Sequence, residues 1–363
     1  MDWNFVIWSL VKIIAVIFLA VMPIVAYAVL AERKISAWIQ DRVGPNRTAP
    51  PLLAKIPVIG PFLIGLGIFQ PIADGLKFIL KEDFTPAHVR KIYFSLAPAI
   101  AMIPALMTVA VIPFGSNLGA QKMVIADLNV GVLYTFGIVS LSVYGIVLAG
   151  YASNSKYPFL GGIRSSAQMV SYEISMGMSV IPIFMIVGNL NLSEVIAYQA
   201  QHGWLVLYTP LSFIIFLISG FAETNRLPFD LPESETELVG GYHTEYSSMR
   251  FGLFFMGEYA AMVAICAMMV VLFFGGWTLP VTLPFGWGRL DEPAQTIGLG
   301  IVHILVFIGK LLFFMGVIIW VRWMWPRFRY DQLMDLGWRR FIPLALANIL
   351  ITAIMLWFTT GTK

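Results

Sequence analysis

An all-α polytopic membrane bundle is the fold this sequence predicts, and three observations predict it. The chain is 59% hydrophobic, only 12% of its residues are charged, and its mean hydropathy is +0.81, which departs from the composition of ordinary soluble domains. Apolar runs of roughly 18 to 26 residues recur, each long enough to cross a hydrocarbon core of about 30 Å. None of them alternates every second residue over about ten positions, as the strands of a membrane barrel would.

Eight runs can be read, at 5–30, 92–113, 131–152, 168–188, 204–222, 251–275, 297–321 and 341–358. The first contains Ala26-Tyr27-Ala28, which imitates a signal-cleavage site. Yet Met1-Asp2-Trp3 carries no cation, and the run is longer than the core of a signal peptide. A retained first span is therefore expected. Pro23, Pro98, Pro104, Pro182, Pro210 and Pro343 fall inside spans or at their ends, where neighbouring helices satisfy the freed carbonyls.

Residues 50–84 form the irregular part, because Pro57, Pro61, Pro71, Gly60, Gly65 and Gly67 interrupt an otherwise apolar stretch. With eight spans and the amino terminus outside, 18 of the 23 Lys and Arg residues fall on the inner side. That is the positive-inside bias, and it puts both termini on the outer, periplasmic side. A ninth span here would reverse every later loop. The segment is instead expected in the inner interface as short helices, with Lys55, Lys77 and Lys81 reaching toward headgroups. The chain then reads as one membrane domain over 1–363, with an inner loop at 32–90 and an acidic inner loop at 223–250.

Cysteine and histidine usage bounds the chemistry. A lone thiol, Cys266, cannot hold an iron–sulfur cluster, which takes four ligands. His88, His202, His243 and His303 lie at span ends on both faces and make a poor haem pair. The chain by itself is expected to carry neither electrons nor a metal.

The acids are more informative. Seven of the 20 acidic residues (Glu223, Asp230, Glu233, Glu235, Glu237, Glu245 and Glu258) lie between Phe221 and Glu258. Carboxylates held at a membrane boundary carry protons or ions, or dock a partner; a solvated loop is the bland reading. Leu227-Pro228-Phe229-Asp230-Leu231-Pro232 is too apolar and rigid for a loose linker and is expected to pack. Glu233 and Glu237, four apart, would share one face of a helix, and their repulsion would raise at least one pKa. Glu173 and Glu258 lie within spans, where an ionised side chain costs about 3 kcal/mol. Each needs a partner, water or a neutral form. Gly177 leaves room beside Glu173, and Lys310 is the obvious cation if the answer is a fixed ion pair. The segment from Glu32-Arg33-Lys34 to Gly44-Pro45 mixes charge with Ile35, Ala37 and Trp38. It reads as interfacial anchoring or as the border of a lipid-facing entrance. Pro326-Arg327-Phe328-Arg329-Tyr330-Asp331 reads as anchoring or docking to a neighbouring chain.

Ordered blocks over about 300 residues carry a family resemblance. They are Glu32-Arg33-Lys34, Gln70-Pro71-Ile72-Ala73-Asp74 with Lys77, Ala152-Ser153-Asn154-Ser155 with Tyr157, and Ser171-Tyr172-Glu173. Next come Ala222-Glu223-Thr224-Asn225-Arg226, Pro228-Phe229-Asp230, Glu235 with Glu237-Leu238-Val239, and Glu245-Tyr246. Phe254-Phe255-Met256 with Glu258-Tyr259 and Pro326 through Leu333 complete the series. Together they resemble the H subunit of proton-translocating NADH:quinone oxidoreductase, the respiratory complex I family that includes mitochondrial NADH dehydrogenase subunit 1. Extra length around 49–67 departs from the pattern.

The resemblance implies a membrane-arm subunit of a translocase that forms part of a quinone tunnel and starts an acidic path into the arm. It puts Arg33, Arg42, Gln70, Asp74, Phe255, Met256 and Arg322 at the tunnel or its mouth. It puts Glu32, Glu173, Glu223, Asp230, Glu233, Glu235, Glu237, Glu245 and Glu258 on the proton path. It implies no catalytic residue or metal on this chain alone, quinone (ubiquinone as the expected kind) as substrate, and iron–sulfur clusters and FMN in partner subunits only. Implied partners are the small membrane subunits A, J and K, antiporter-like subunits further along the arm, hydrophilic quinone-module subunits B, CD and I, and lipid, with no nucleic acid. The implied location is the cell inner membrane, or the mitochondrial inner membrane as the alternative. Three other readings stand beside it: the related membrane subunit of an energy-converting hydrogenase, a stand-alone antiporter, for which no inverted repeat is visible, and a bare scaffold.

Overall fold

The computed structural model describes residues 3–50, 59–119, 121–280 and 290–360. The first span is one long rod, in which α1 (Trp3–Ile14) runs through a π-helical turn, Ala15–Val21, into α2 (Met22–Ile39). Two short helices follow at the end of the bundle that the charge bias of the sequence assigns to the inner side, α3 (Ile59–Leu66) and α4 (Gln70–Leu80), bent 61° to each other. At 1.5 Å per residue they are about 12 and about 17 Å long, so neither crosses a bilayer alone. The pair is made of short helices, as expected for 50–84, and is bent too sharply to be one straight span; Lys55 lies outside the described residues. The break requires a glycine. Gly67 sits at φ +72°, and a Cβ there would lie 2.5 Å from the Pro45 carbonyl oxygen.

The spans α5 (Lys91–Thr108) and α6 (Gly131–Ala152) pack against each other and against α7 (Lys156–Val187). A Cβ on Gly145 would lie 2.5 Å from the Ala101 backbone nitrogen, so α5 and α6 meet backbone to backbone. Between α5 and α6, on the outer side, a minimal hairpin pairs β1 (Asn117–Leu118) with β2 (Gln121–Lys122). Beyond α7, α8 (Leu192–His202) leads to α9 (Pro210–Glu223). The run read at 204–222 is thus a helix of only 14 residues, about 21 Å long. Pro210 cannot extend the helix backward but suits its first turn.

The acidic loop contains one turn of helix, α10 (Glu235–Leu238), before α11 (Ser248–Phe273). The chain ends with α12 (Ile297–Met324), α13 (Tyr330–Asp335), a π-helical turn at Leu336–Phe341, and α14 (Ile342–Thr360). Among the described residues, seven helical segments are long and apolar enough to span, and the bent α3–α4 pair would be an eighth if counted as one. The bundle's axis is α11, whose residues from Met262 to Phe273 are all buried. A helix apolar on every side belongs in the middle. Outer helices show large side chains to the bilayer, with Leu19 79% and Trp357 75% exposed.

The cation within α12 is capped onto carbonyls rather than ion-paired. Lys310 of α12 donates to the carbonyls of Phe274 (2.6 Å), Gly276 (3.0 Å) and Thr278 (2.6 Å), closing the end of α11. It therefore does not pair with Glu173, contrary to the fixed ion pair considered from sequence. The orphan carbonyls of a helix end inside a membrane exert the stronger demand.

Candidate functional site: an apolar cavity beside a buried acidic cluster

On the inner half, α2, α4 and α11 enclose a cavity of about 360 Å³. Its walls are apolar, with Val25 and Val29 from α2, Phe78 from α4, and Phe255 and Met256 from α11. Its polar rim is built by hydrogen bonds. The Arg33 guanidinium meets Asp74 at 2.7 Å, the Gln70 amide donates to Asp74 at 2.9 Å, and Thr48 donates to Gln70 at 2.5 Å. Gln70 and Asp74, one turn apart on α4, face the same side because four residues return to one helix face. An apolar sleeve with a few fixed polar groups at one end is the usual form of a site for a largely hydrophobic ligand.

Tyr259 also lines this cavity, and its hydroxyl leads out of it. That hydroxyl donates to Glu32 at 2.5 Å, and Arg322 closes on the other oxygen of the same carboxylate. The Arg226 guanidinium lies 4.2 Å above the Tyr259 ring, 3.6 Å from Glu32 and 3.8 Å from Glu258. Arg226 is buried, and its Nε and Nη2 meet no acceptor at hydrogen-bond distance among the described residues. Burial alone would lower its pKa; the surrounding acidic groups, among them Glu258, Glu32 and Glu233, outweigh that and raise it. A fixed positive charge therefore stands between two carboxylates and is fully committed to neither.

Glu258 is held from its far side by the Tyr242 hydroxyl at 2.7 Å. Burial, then the facing Glu258 and Glu233 carboxylates, raise the pKa of Tyr242 well above its ordinary value, so it stays a donor. Glu233 lies 3.6 Å from His243, and its pKa is raised, mainly by burial. Asp230 pairs with Arg327 at 2.8 Å; even so, burial lifts its carboxyl to about 6. The loop keeps this shape through Gln168 of α7. Its buried amide donates to the Ala222 carbonyl (2.7 Å), Asn225 Oδ1 (3.2 Å) and the Phe229 carbonyl (2.7 Å). Gly161 of α7 lies so close to the loop that a Cβ would meet the Tyr242 backbone nitrogen at 2.8 Å.

Beyond Glu258 a second, smaller cavity of about 40 Å³ is lined by Ser142, Glu223, Thr224, Asn225, Tyr242 and Glu258, among others. Most of its wall is apolar, with Ala105, Val139, Met169 and Ile265 facing these polar groups, and it is large enough for roughly two or three waters. Glu223 is 4% exposed, and neither of its carboxyl oxygens meets a protein donor among the described residues. Glu173 interacts electrostatically with Glu223 and lies near the Ser140 hydroxyl of α6. Beside Glu173, Gly177 has open space where a Cβ would be.

The residues singled out from sequence divide accordingly. Arg33, Gln70, Asp74, Phe255 and Met256 line the larger cavity, whereas Arg42 is exposed outside it and Arg322 turns to Glu32. Glu32, Asp230, Glu233 and Glu258 converge, and Glu223 and Glu173 continue beyond. Glu237 does not join them: half exposed, it pairs with Arg164 at 2.6 Å. The shared face expected for Glu233 and Glu237 is therefore corrected, because the helix starts only at Glu235. Glu245 stands apart, 3.9 Å from His88. The Glu235 side chain lies outside the described residues.

Arg226, Tyr242, Tyr259 and Arg327 are central here, and sequence reasoning misses all four. Arg226 and Arg327 are visible as cations in the matching blocks, where Arg226 carries no assigned role and Arg327 reads as anchoring or docking. Tyr259 follows Glu258 directly, and a 100° step around α11 sends the two side chains to different cavities. Among the described residues, no group of three His, Cys, Asp or Glu could hold a metal ion.

Comparison with known proteins places the chain. A family model described as NADH dehydrogenase matches residues 11–353. The H subunit, form 1, of the NADH-quinone oxidoreductase of Geobacter metallireducens is 49% identical over 348 residues, covering 94% of this chain and 95% of the relative. The H subunit of the Paramagnetospirillum magneticum enzyme is 48% identical over 353 residues, covering 96% and 94%. That of Flavobacterium psychrophilum is 46% identical over 363 residues, covering 98% and 99%. With a family match over nearly its whole length and relatives this similar end to end, the chain belongs to the NADH dehydrogenase family, among the H subunits of NADH-quinone oxidoreductase.

Proposed function

We propose that the chain shelters the quinone of an NADH-quinone oxidoreductase in the α2–α4–α11 cavity and passes the electrical consequence of its reduction to the acids beside it. The chain is a multi-pass membrane subunit of that enzyme complex, and quinone is the complex's substrate. Iron–sulfur clusters and FMN in partner subunits supply the electrons. The residues here position, exclude water and shift protons.

One observation carries the reading: Arg226 lies 3.6 Å from Glu32 and 3.8 Å from Glu258, so it touches both cavities electrostatically. Glu32 shares Tyr259 with the quinone cavity, and Glu258 shares the small cavity with Glu223. Hydroquinone formation consumes two electrons and two protons, so charge near the headgroup changes during turnover. In a low-dielectric interior such a change acts strongly on fixed ions nearby. A more negative quinone cavity draws Arg226 toward Glu32. Glu258 then loses its counter-charge and takes up a proton, and Glu223 and Glu173 extend the shift laterally.

Docking follows from the same geometry. The inner loops, with the cavity rim at Arg33, Gln70 and Asp74, would meet the hydrophilic quinone-module subunits B, CD and I. The small subunits A, J and K and the antiporter-like subunits would take the shift onward through the membrane. The cell inner membrane with both termini periplasmic agrees with the charge bias of the sequence.

The test uses the assembled complex in proteoliposomes with Arg226→Lys and Glu258→Gln. The expected result is normal assembly and normal electron input to an artificial acceptor, with quinone reduction and the accompanying proton uptake both sharply reduced. Wild-type values for both variants would overturn the reading.

A further inference from the structure

A proton taken up by Glu258 during turnover has a source, and the acidic cluster has two ends from which it could come. The end at the quinone cavity is occupied. Glu32 there accepts from Tyr259 at 2.5 Å, meets Arg322 through its other oxygen, and has Arg226 at 3.6 Å. Both carboxylate oxygens are engaged by strong partners, a poor setting for a group that must pick up a proton.

The opposite end is built differently. His243 closes a 3₁₀ turn, Gly241–His243, and its Nδ1 lies 3.6 Å from Glu233. The side chains of His243 and Glu233 are 19% and 25% exposed, on the aqueous side that the charge bias makes the inner one, whereas that of Glu258 behind them is 10% exposed. Gly241 brings the two together. It sits at φ +60° against the chain at Pro232–Glu233, and a Cβ there would overlap the Pro232 carbonyl oxygen. Only glycine lets the two segments of the loop cross so closely.

The imidazole stands between the rings of Tyr242 (5.1 Å) and Phe251 (5.2 Å), which fix its plane. Its other nitrogen, Nε2, lies beside Gly240, where a Cβ would stand 3.5 Å away, and the next residue, Thr244, is exposed. One nitrogen thus faces the acids and the other the edge of the loop. Glu233 in turn lies near Glu258, and Asp230, Arg226 and Arg322 are the other charged groups acting on it. Helices α6, α7 and α11 also pack around the turn. Among the α7 charges, Lys156 is exposed at the helix start, Arg164 pairs with Glu237, and Glu173 acts on Glu223. The sequence of α6 has no charged residue, and Arg250 of α11 pairs with Asp83. Two carboxyls placed like Glu233 and Glu258 hold one shared proton more readily than two negative charges.

We propose that His243 is the proton inlet of the acidic cluster, loading Glu233 and through it Glu258 from the inner aqueous side rather than from the quinone cavity. The proposal rests on the reading of these acids as a protonation path. Water gives a proton to Nε2, and the proton on Nδ1 moves to the Glu233 carboxylate, which leaves the imidazole neutral. Glu233 passes that proton to the Glu258 carboxylate and is an anion again. Exchange with water restores the starting tautomer. The 3.6 Å separation is just beyond a hydrogen bond. A small rotation makes and breaks such a contact, and catalytic contacts of this kind tighten during turnover.

The test uses the assembled complex in proteoliposomes whose inner side faces the medium, with electron input to an artificial acceptor as the control. His243→Ala should lower quinone reduction and the accompanying proton uptake about tenfold at alkaline pH, short of the roughly hundredfold of a proton transfer lost outright, because water still reaches Glu233. The loss should shrink as pH falls. Imidazole added to the medium should restore most of the rate, and should restore none once Glu233→Gln is combined with His243→Ala. His243→Gln keeps a polar side chain against Phe251 but relays no proton. It should match His243→Ala, and it repeats the test should the alanine variant fail to assemble. Thr244→Cys should react in the assembled complex with a membrane-impermeant thiol reagent in the medium; the native thiol, Cys266, is buried and does not compete.

Wild-type rates in His243→Gln, a loss that imidazole does not repair, rescue that persists without Glu233, or an unreactive thiol in Thr244→Cys would each overturn the proposal. Wild-type quinone reduction in Glu258→Gln would instead overturn the reading of the acids beneath it.

Discussion

Two sets of buried polar groups, one in each half of the bundle, are treated in opposite ways. On the outer half each partner set is nearly complete. Lys310 meets three carbonyls, and the Gln199 amide donates to the Val271 carbonyl while accepting from the Leu205 and Gly275 nitrogens. At the exposed end of the same half, Asp127 is not buried but is likewise supplied, accepting from Lys122, Asn191 and Ser193. His303 Nε2 is the exception. On the inner half, Arg226 stands beyond hydrogen-bond distance from both of its carboxylates, and Glu223 meets no donor among the described residues. Saturated groups have one arrangement and hold a fold. Groups left short of partners retain alternatives of similar energy, which a charge change can select between.

Removing the central cation should break this contrast most severely. Arg226→Met leaves Glu32 and Glu258 buried without their shared counter-charge, a loss of about 3 to 5 kcal/mol for a broken buried pair. Quinone reduction by the assembled complex should fall by at least about tenfold, since each tenfold step is about 1.4 kcal/mol of barrier. Steady-state assay against an artificial acceptor separates that loss from failed assembly.

Lys310→Met should do the reverse. It uncaps three carbonyls inside the membrane and should cost about 3 kcal/mol of stability in detergent, at about 1 kcal/mol per lost bond. Turnover per assembled complex should stay near wild type. A loss of pumping with unchanged melting would place Lys310 among the functional groups.

A pH profile sharpens the comparison further. Burial lifts the Asp230 pKa from 3.8 to about 6 against the pull of Arg327. The folded protein then binds more protons than the unfolded chain between those values. Stability attributable to this group is full below about pH 3.8 and declines as pH rises through about 6. Asp230→Asn should flatten that part of the stability curve and of the pH–rate profile for quinone reduction.

The smallest effect belongs to Asp127 on the outer side. Burial pushes its pKa up, but the bonds from Asn191, Lys122 and Ser193 outweigh it and hold the carboxyl below its ordinary value. Its contribution is therefore present above about pH 4 and fades in acid. Asp127→Asn should cost about 1 kcal/mol, visible as a small drop in melting temperature at neutral pH that vanishes in acid, with activity unchanged.

Much of this is legible in the sequence, because a bilayer demands long apolar runs and those runs mark the spans directly. Glu173 and Glu258 stand out since a charge within a span is costly. The five cavity residues from Arg33 to Met256 come through matching blocks, not through periodicity. What periodicity cannot reach is the direction of side chains in irregular segments. No apolar periodicity marks Glu233 as inward and Glu237 as outward; the two diverge because α10 begins only at Glu235, after Ser234. Arg226 emerges only when α2, α11 and the acidic loop meet. The shortened α9 is hidden because Leu205–Leu207 is as apolar as the helix it precedes.

The account turns on whether buried carboxyls change protonation when quinone is reduced. Infrared difference spectra of the reconstituted complex, oxidised minus reduced, measure this through the C=O stretch of protonated carboxyl groups. The expected result is a difference band in wild type that disappears in Glu258→Gln, weakens in Glu223→Gln and survives in Glu237→Gln. A wild-type spectrum with no such band, or a band untouched by Glu258→Gln and Glu223→Gln, would contradict it.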